Sequence, residues 1–115
     1  VKKLLKNIVK FLVNGASVYA TAYLLSGVSI ESFWVALLVS LIISVLNILV
    51  KPILSFLSFP VTVLTFGLFT FIIDALIIFI ASKIVPGFVV DSFVTAIIFS
   101  VVLTIISYVL HKIIA

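Results

Sequence analysis

Between Pro60 and Ile80 the chain carries one charged side chain, Asp74, in a run long enough to cross a bilayer. Punctuation divides the whole sequence into four such apolar segments. The first runs from about Leu4 to Leu25 and stops at Ser26-Gly27, and the second begins after Glu31-Ser32 and ends near Lys51-Pro52. The third runs from about Val61 to Val85 and stops at Pro86-Gly87, and the fourth begins after Asp91-Ser92 and reaches Ile113. Segments of about 20 residues, rising ~1.5 Å each, cover a hydrocarbon core ~30 Å thick. Lipid supplies no hydrogen-bond partners, so each segment must satisfy its own backbone, and helices are predicted despite the many β-branched residues. The predicted fold is an all-α integral membrane protein with four transmembrane helices in a single domain, 1–115.

Composition agrees. A water-soluble domain must coat itself with charge, and 66% hydrophobic against 9% charged residues leaves too little. The absence of cysteine excludes disulfides, thiolate metal sites and cysteine nucleophiles. A net charge of +4 could point to nucleic acid, but Lys2, Lys3, Lys6 and Lys10 crowd the start, beside an apolar segment. A juxtamembrane basic cluster sets orientation and meets anionic headgroups, so the expected partner is the lipid bilayer and not nucleic acid. Ile8 to Leu25 exceeds the h-region of a signal peptide, and no clear cleavage site precedes Ser26, so this stretch reads as a retained first span.

The two halves echo each other sixty residues apart. Gly27-Val28-Ser29-Ile30-Glu31-Ser32-Phe33 recurs as Gly87-Phe88-Val89-Val90-Asp91-Ser92-Phe93, and Phe11-Leu12-Val13-Asn14 as Phe71-Ile72-Ile73-Asp74. Two tandem two-helix repeats follow, about 4–53 and 61–113, joined by a connector at 52–60. A two-span repeat returns the chain to its starting side, so the halves share one orientation about a parallel pseudo-twofold axis. Lys51, Lys112 and the first lysines fall on that side, which places both termini in the cytoplasm. The connector is too short to cross and is expected at the cytoplasmic interface, bent or briefly helical, with Phe56 and Phe59 toward lipid or the bundle.

In the two outer loops, Gly27 and Gly87 are expected to leave their helices through a left-handed cap. Glu31, Ser32, Asp91 and Ser92 are candidate helix caps, offering acceptors and negative charge to the first free N–H groups of the next helix. Polar residues within the spans also align. Ser40, Ser44, Asn47 and Lys51 share one helical face of the second span, and Ser100, Thr104, Ser107 and His111 share one face of the fourth. Asn14 and Asp74 carry the corresponding positions of the first and third. Asn14, Asn47, Asp74 and Ser107 are therefore the candidate intramembrane polar residues. Such stripes either glue helices together or line a hydrated path, and the first is the default for Ser and Thr. A lone mid-membrane acid argues for the second. Asp74 is expected inside the bundle, uncharged, with its repeat mate Asn14 as hydrogen-bond partner.

Catalysis has no footing. The single histidine, His111, sits toward the end of the last span with no triad or metal partners in view, and the four glycines are too dispersed for a phosphate loop. No catalytic, metal or cofactor-binding residue is assigned, and no cofactor is expected.

The run Pro86-Gly87-Phe88-x-x-Asp91-Ser92-Phe93, its weaker copy at 26–33, Asn47 with Lys51-Pro52, and Pro60-x-x-x-Leu64-Thr65-x-Gly67-Leu68-Phe69 resemble the mycobacterial four-transmembrane phage-holin-like family, holin superfamily IV. The likeness covers nearly the whole chain. It departs from the family at Asp74, where Asn is common, and at Ser26, where Pro is frequent. The resemblance implies a small multi-pass protein of the bacterial inner (cytoplasmic) membrane that acts by assembly as a homo-oligomer. It would form a permeation pathway or support the envelope under stress beside other membrane proteins, without catalysis. Two other readings stand beside it: a small proton- or ion-coupled transporter or channel using Asp74, and a non-conducting scaffold for stress-response partners.

Overall fold

The computed structural model describes every residue except Phe66 and Ala115. Among the described residues six helices and two short strands follow in the order α1 (Lys2–Leu24), β1 (Val28–Ile30), α2 (Phe33–Leu49), α3 (Lys51–Leu57), α4 (Phe59–Leu64), α5 (Phe69–Ile84), β2 (Phe88–Val90) and α6 (Phe93–Ile114). The four long helices pack around one another, α1 against α2 and α6, and α5 against α6 and α2. The longest dimension is 41 Å, close to the ~40–45 Å of a bilayer with its headgroups. Among the described residues α6 alone is long and apolar enough to cross by itself, and α2 with α3 passes the same test as a pair bent by 47°. Tyr23, Trp34 and Phe56 stand 84%, 77% and 80% exposed, a surface suited to lipid and not to water.

The loops after α1 and α5 contain strands, an element not expected from the sequence. β1 and β2 pair antiparallel with Val28 opposite Val90, Ser29 opposite Val89 and Ile30 opposite Phe88. Beyond the ladder the exchange continues: the Glu31 amide donates to the Gly87 carbonyl and the Asp91 amide to the Gly27 carbonyl, both at 3.0 Å. Each bond has its counterpart sixty residues on. The aromatic contacts match in the same way, Tyr19 meeting Phe33 edge-on at 6.0 Å and Phe79 meeting Phe93 at 6.2 Å. Two strands too short to form a sheet alone thus satisfy each other's backbone groups.

Neither glycine forms the expected left-handed helix cap: α1 and α5 end on Leu25 and Val85 in extended conformation, and Gly87 lies in the turn closed by the Phe88 amide on Val85 O. Gly87 has φ +88°, whereas Gly27 is not among the glycines of positive φ. Instead, each glycine makes room for the other loop's acid. A Cβ on Gly27 would stand 2.7 Å from Asp91 Oδ1, and one on Gly87 would collide with Glu31 Oε2.

Beneath the ribbon the core is tight and built on small residues. Ala36, Ala75, Ala81 and Ala96 are fully buried, with Val18, Val39, Ile78 and Phe99 filling between them. Small side chains let the helix axes approach. Toward the connector end the helices shed these contacts, and all of Val1 through Leu12 lies exposed on α1.

The third segment is where the structure departs most from expectation. It is not one helix from Val61 to Val85. α4 ends at Leu64, Gly67 follows at φ +87°, and α5 begins only at Phe69. The Thr65 hydroxyl donates to Val61 O at 3.0 Å and accepts the Phe69 amide at 3.1 Å, closing one helix and opening the next. The Gly67 amide reaches back to Thr62 O. The connector is accordingly two short helices, α3 and α4, each with a proline in its first turn and no buried residue.

Candidate functional site

The break before Phe69 decides where Asp74 sits. Five residues into α5, it lies roughly 8 Å from the start of that helix at ~1.5 Å per residue, near the connector end and not at mid-span. α3 ends up against α5, and its first residue is Lys51. Lys51 Nζ lies 2.6 Å from Asp74 Oδ1, the two side chains 31% and 22% exposed. The expected lone, uncharged acid bonded to Asn14 is therefore corrected on both counts. Asp74 has a counter-charge, and Asn14 has a different partner. Asn14 Oδ1 stands 2.7 Å from His111 Nε2, tying α1 to the last turn of α6.

Asn14, Lys51 and Asp74 border a cleft of about 440 Å³ in the connector half of the bundle. Asn14 contributes from α1, Ser40, Ser44 and Asn47 from α2, Asp74 from α5, and Ser100, Thr104 and Ser107 from α6, with Lys51 at its edge and Ile43, Ile77 and Leu103 as apolar wall. All four candidate intramembrane polar residues, Asn14, Asn47, Asp74 and Ser107, line it.

Among the described residues, the cleft hydroxyls bond mainly within their own helices and not helix to helix as glue would. Ser40 donates to Leu37 O at 2.8 Å, Ser44 to Ser40 O at 2.9 Å and Thr104 to Ser100 O at 2.8 Å, each within its own helix. Ser100 donates to Ile97 O at 2.7 Å and reaches across to Phe71 O on α5 only at 3.3 Å. Local bonding of this kind satisfies the proton and leaves the oxygen lone pairs free. The cleft wall is thus rich in acceptors.

Among the proposed caps, the serines and the acids divide the work. The Val35 amide donates to Ser32 Oγ at 3.3 Å and the Thr95 amide to Ser92 Oγ at 3.2 Å, three residues on in each helix. Glu31 and Asp91 place their carboxylates against Gly87 and Gly27 of the opposite loop.

Two participants were not legible in their roles. Lys51 reads from sequence as an orientation marker and His111 as a bland interfacial residue. The signal available was Gly67 inside an apolar run, a breaker whose effect is to shift Asp74 toward Lys51.

A bundle of helices with large apolar side chains exposed on its outside and a polar cleft within it defines a class: small helical membrane proteins. Residues 5–109 match the family described as mycobacterial 4 TMS phage holin, superfamily IV, and the chain belongs to that family. It is 36% identical over 105 residues to the membrane protein YvlD of Bacillus subtilis, covering 90% of this chain and 88% of that one. It is 31% identical over 114 residues to the protein SCO3922 of Streptomyces coelicolor, covering 90% and 91%. No solved structure matches. The protein is a membrane protein of the holin-like family, as its sequence motifs indicate.

Proposed function

We propose that the protein acts without catalysis, by associating in the bacterial cytoplasmic membrane to provide a permeation path for small polar solutes. The observation that carries this is the cleft: polar stripes from four helices converge on one space, and its Ser40, Ser44 and Thr104 hydroxyls donate within their own helices, leaving oxygen acceptors on its wall. Polar groups held in hydrocarbon at a cost of order 1 kcal/mol or more each demand a return in function or packing. In a monomer the path is confined to the connector half, because the alanine-lined core fills the ribbon half. Self-association would extend it by giving the exposed connector-half faces of α1 and α6 a partner.

In this reading the chain is two tandem repeats about a pseudo-twofold axis through the ribbon, and the symmetric register of β1 and β2 supports that. The ribbon faces outward. The termini, α3, α4 and six of the seven lysines face the cytoplasm and its anionic headgroups. Since the chain has no cysteine, single cysteines report topology cleanly. Ser29→Cys and Val89→Cys should react with an impermeant reagent from outside intact cells, and Ser55→Cys should not; labelling of Ser55→Cys from outside overturns the arrangement.

The permeation reading is tested by reconstitution into liposomes over a range of protein densities. Glycerol and a small anionic dye should escape, with a steep dependence on density because the path forms by association. Retention of both at every density rejects the reading. A carrier centred on Asp74 is the second reading, favoured by the charge pair at the cleft edge; it predicts saturable exchange at low density, with no leak of dye.

A further inference from the structure

We infer that Asp74 is a binding site for a small monovalent cation, and that Lys51 occupies it as a tethered plug. This rests on the permeation reading above.

Asp74 is the one acidic side chain lining the cleft among the described residues. The hydroxyls of Ser44, Ser100 and Thr104, which line the same cleft, have given their protons to carbonyls of their own helices, and the amides of Asn14 and Asn47 border the same space. A carboxylate among oxygen lone pairs is the chemistry that replaces the hydration shell of a hard cation. The cation present is the Lys51 ammonium, a compact point charge with three donors, 2.6 Å from the acid.

The mounting of that ammonium matters as much as its position. Lys51 opens α3 immediately after Val50, where α2 and α3 bend by 47°. The α3 helix rests against α5 without burying any residue of its own. A small rotation at Val50 lifts Lys51 toward the interface, where a lysine stem can lie along apolar surface with its charge in water. Asp74 then remains in the cleft with its charge uncompensated and takes a free cation. Sodium, potassium or ammonium ions all fit this description; a divalent ion lacks the second carboxylate that such sites usually supply.

Proteoliposomes of the full chain loaded with radiolabelled glycerol, and assayed for uptake of radiolabelled rubidium, separate the possibilities. Lys51→Cys should raise rubidium uptake about tenfold over the unmodified chain, equivalent to a plug worth ~1.4 kcal/mol. Asp74→Asn in that background should remove the gain. Treatment of Lys51→Cys with an aminoethyl methanethiosulfonate restores an ammonium near its original place and should return rubidium uptake to its original level, whereas the neutral methyl reagent should not. That return also certifies that the variant is folded. Rubidium uptake that ignores the Lys51 change, or that both reagents alter equally, overturns the plug. An unchanged gain with Asp74→Asn overturns the site. If glycerol still leaks in those cases, the permeation reading survives; if neither solute passes at any density, both fall together.

Discussion

Gly87→Val should be the most damaging single change at the ribbon, lowering stability by about 2–4 kcal/mol. Two independent costs add. Gly87 holds φ +88°, a region that costs a non-glycine residue roughly 1–3 kcal/mol, most for a β-branched one. A Cβ there also runs into Glu31 Oε2, and overpacking of that kind costs typically ~1–3 kcal/mol. The other glycines calibrate the effect. Gly67→Ala carries the strain alone, since nothing lies within 4 Å of its Cβ position, and should cost about 1 kcal/mol. Gly27→Ala carries the crowding alone, against an Asp91 carboxylate that can swing aside, and should cost less still. Thermal unfolding in detergent micelles gives the order. Equal losses at Gly67 and Gly87 would show that the opposed acid contributes nothing, and the ribbon would lose its role as a mutual lock.

The second large effect belongs to the charge pair. Asp74→Leu should destabilise the bundle by about 1–3 kcal/mol, below the ~3–5 kcal/mol for breaking a fully buried pair, because part of this one meets solvent. Asp74→Asn discriminates between the two partners considered for the acid. Beside Asn14, an amide would have served as well as a carboxyl, and the change would have been almost silent. Beside Lys51, an amide keeps a hydrogen bond but leaves the ammonium without a counter-charge. A measurable loss is therefore expected, intermediate between wild type and Leu. The double-mutant cycle with Lys51→Met isolates the coupling, expected at about 1–2 kcal/mol. A coupling of zero would mean that the two charges are independently solvated and that α3 is not tied to α5 through them.

Much of the architecture follows from the order of residues. Apolar runs near bilayer length, prolines and glycines between them, and lysines gathered at one end mark a multi-span membrane protein without reference to any contact. Ser32 and Ser92 begin their helices as local chemistry predicts, because a cap depends on residues only three positions away. The polar stripes were equally visible, since a helix places residues three and four apart on one side. Their destination was not. A stripe says which face is polar but not which neighbour that face meets, and the rotation and crossing of α1, α2, α5 and α6 turned the stripes onto a shared cleft.

Depth was decided by the tertiary structure for the same reason. An uninterrupted third segment would hold Asp74 at mid-span. The Thr65–Gly67 break, closed by a hydroxyl that serves two helices at once, brings the acid down to where α3 presents Lys51. The ribbon is likewise beyond local reasoning, because three-residue strands are stable only through a partner sixty residues away. Local sequence determined what each segment is; only the packing of segments distant in the chain decided which charge meets which, because those energies do not exist until the helices are assembled.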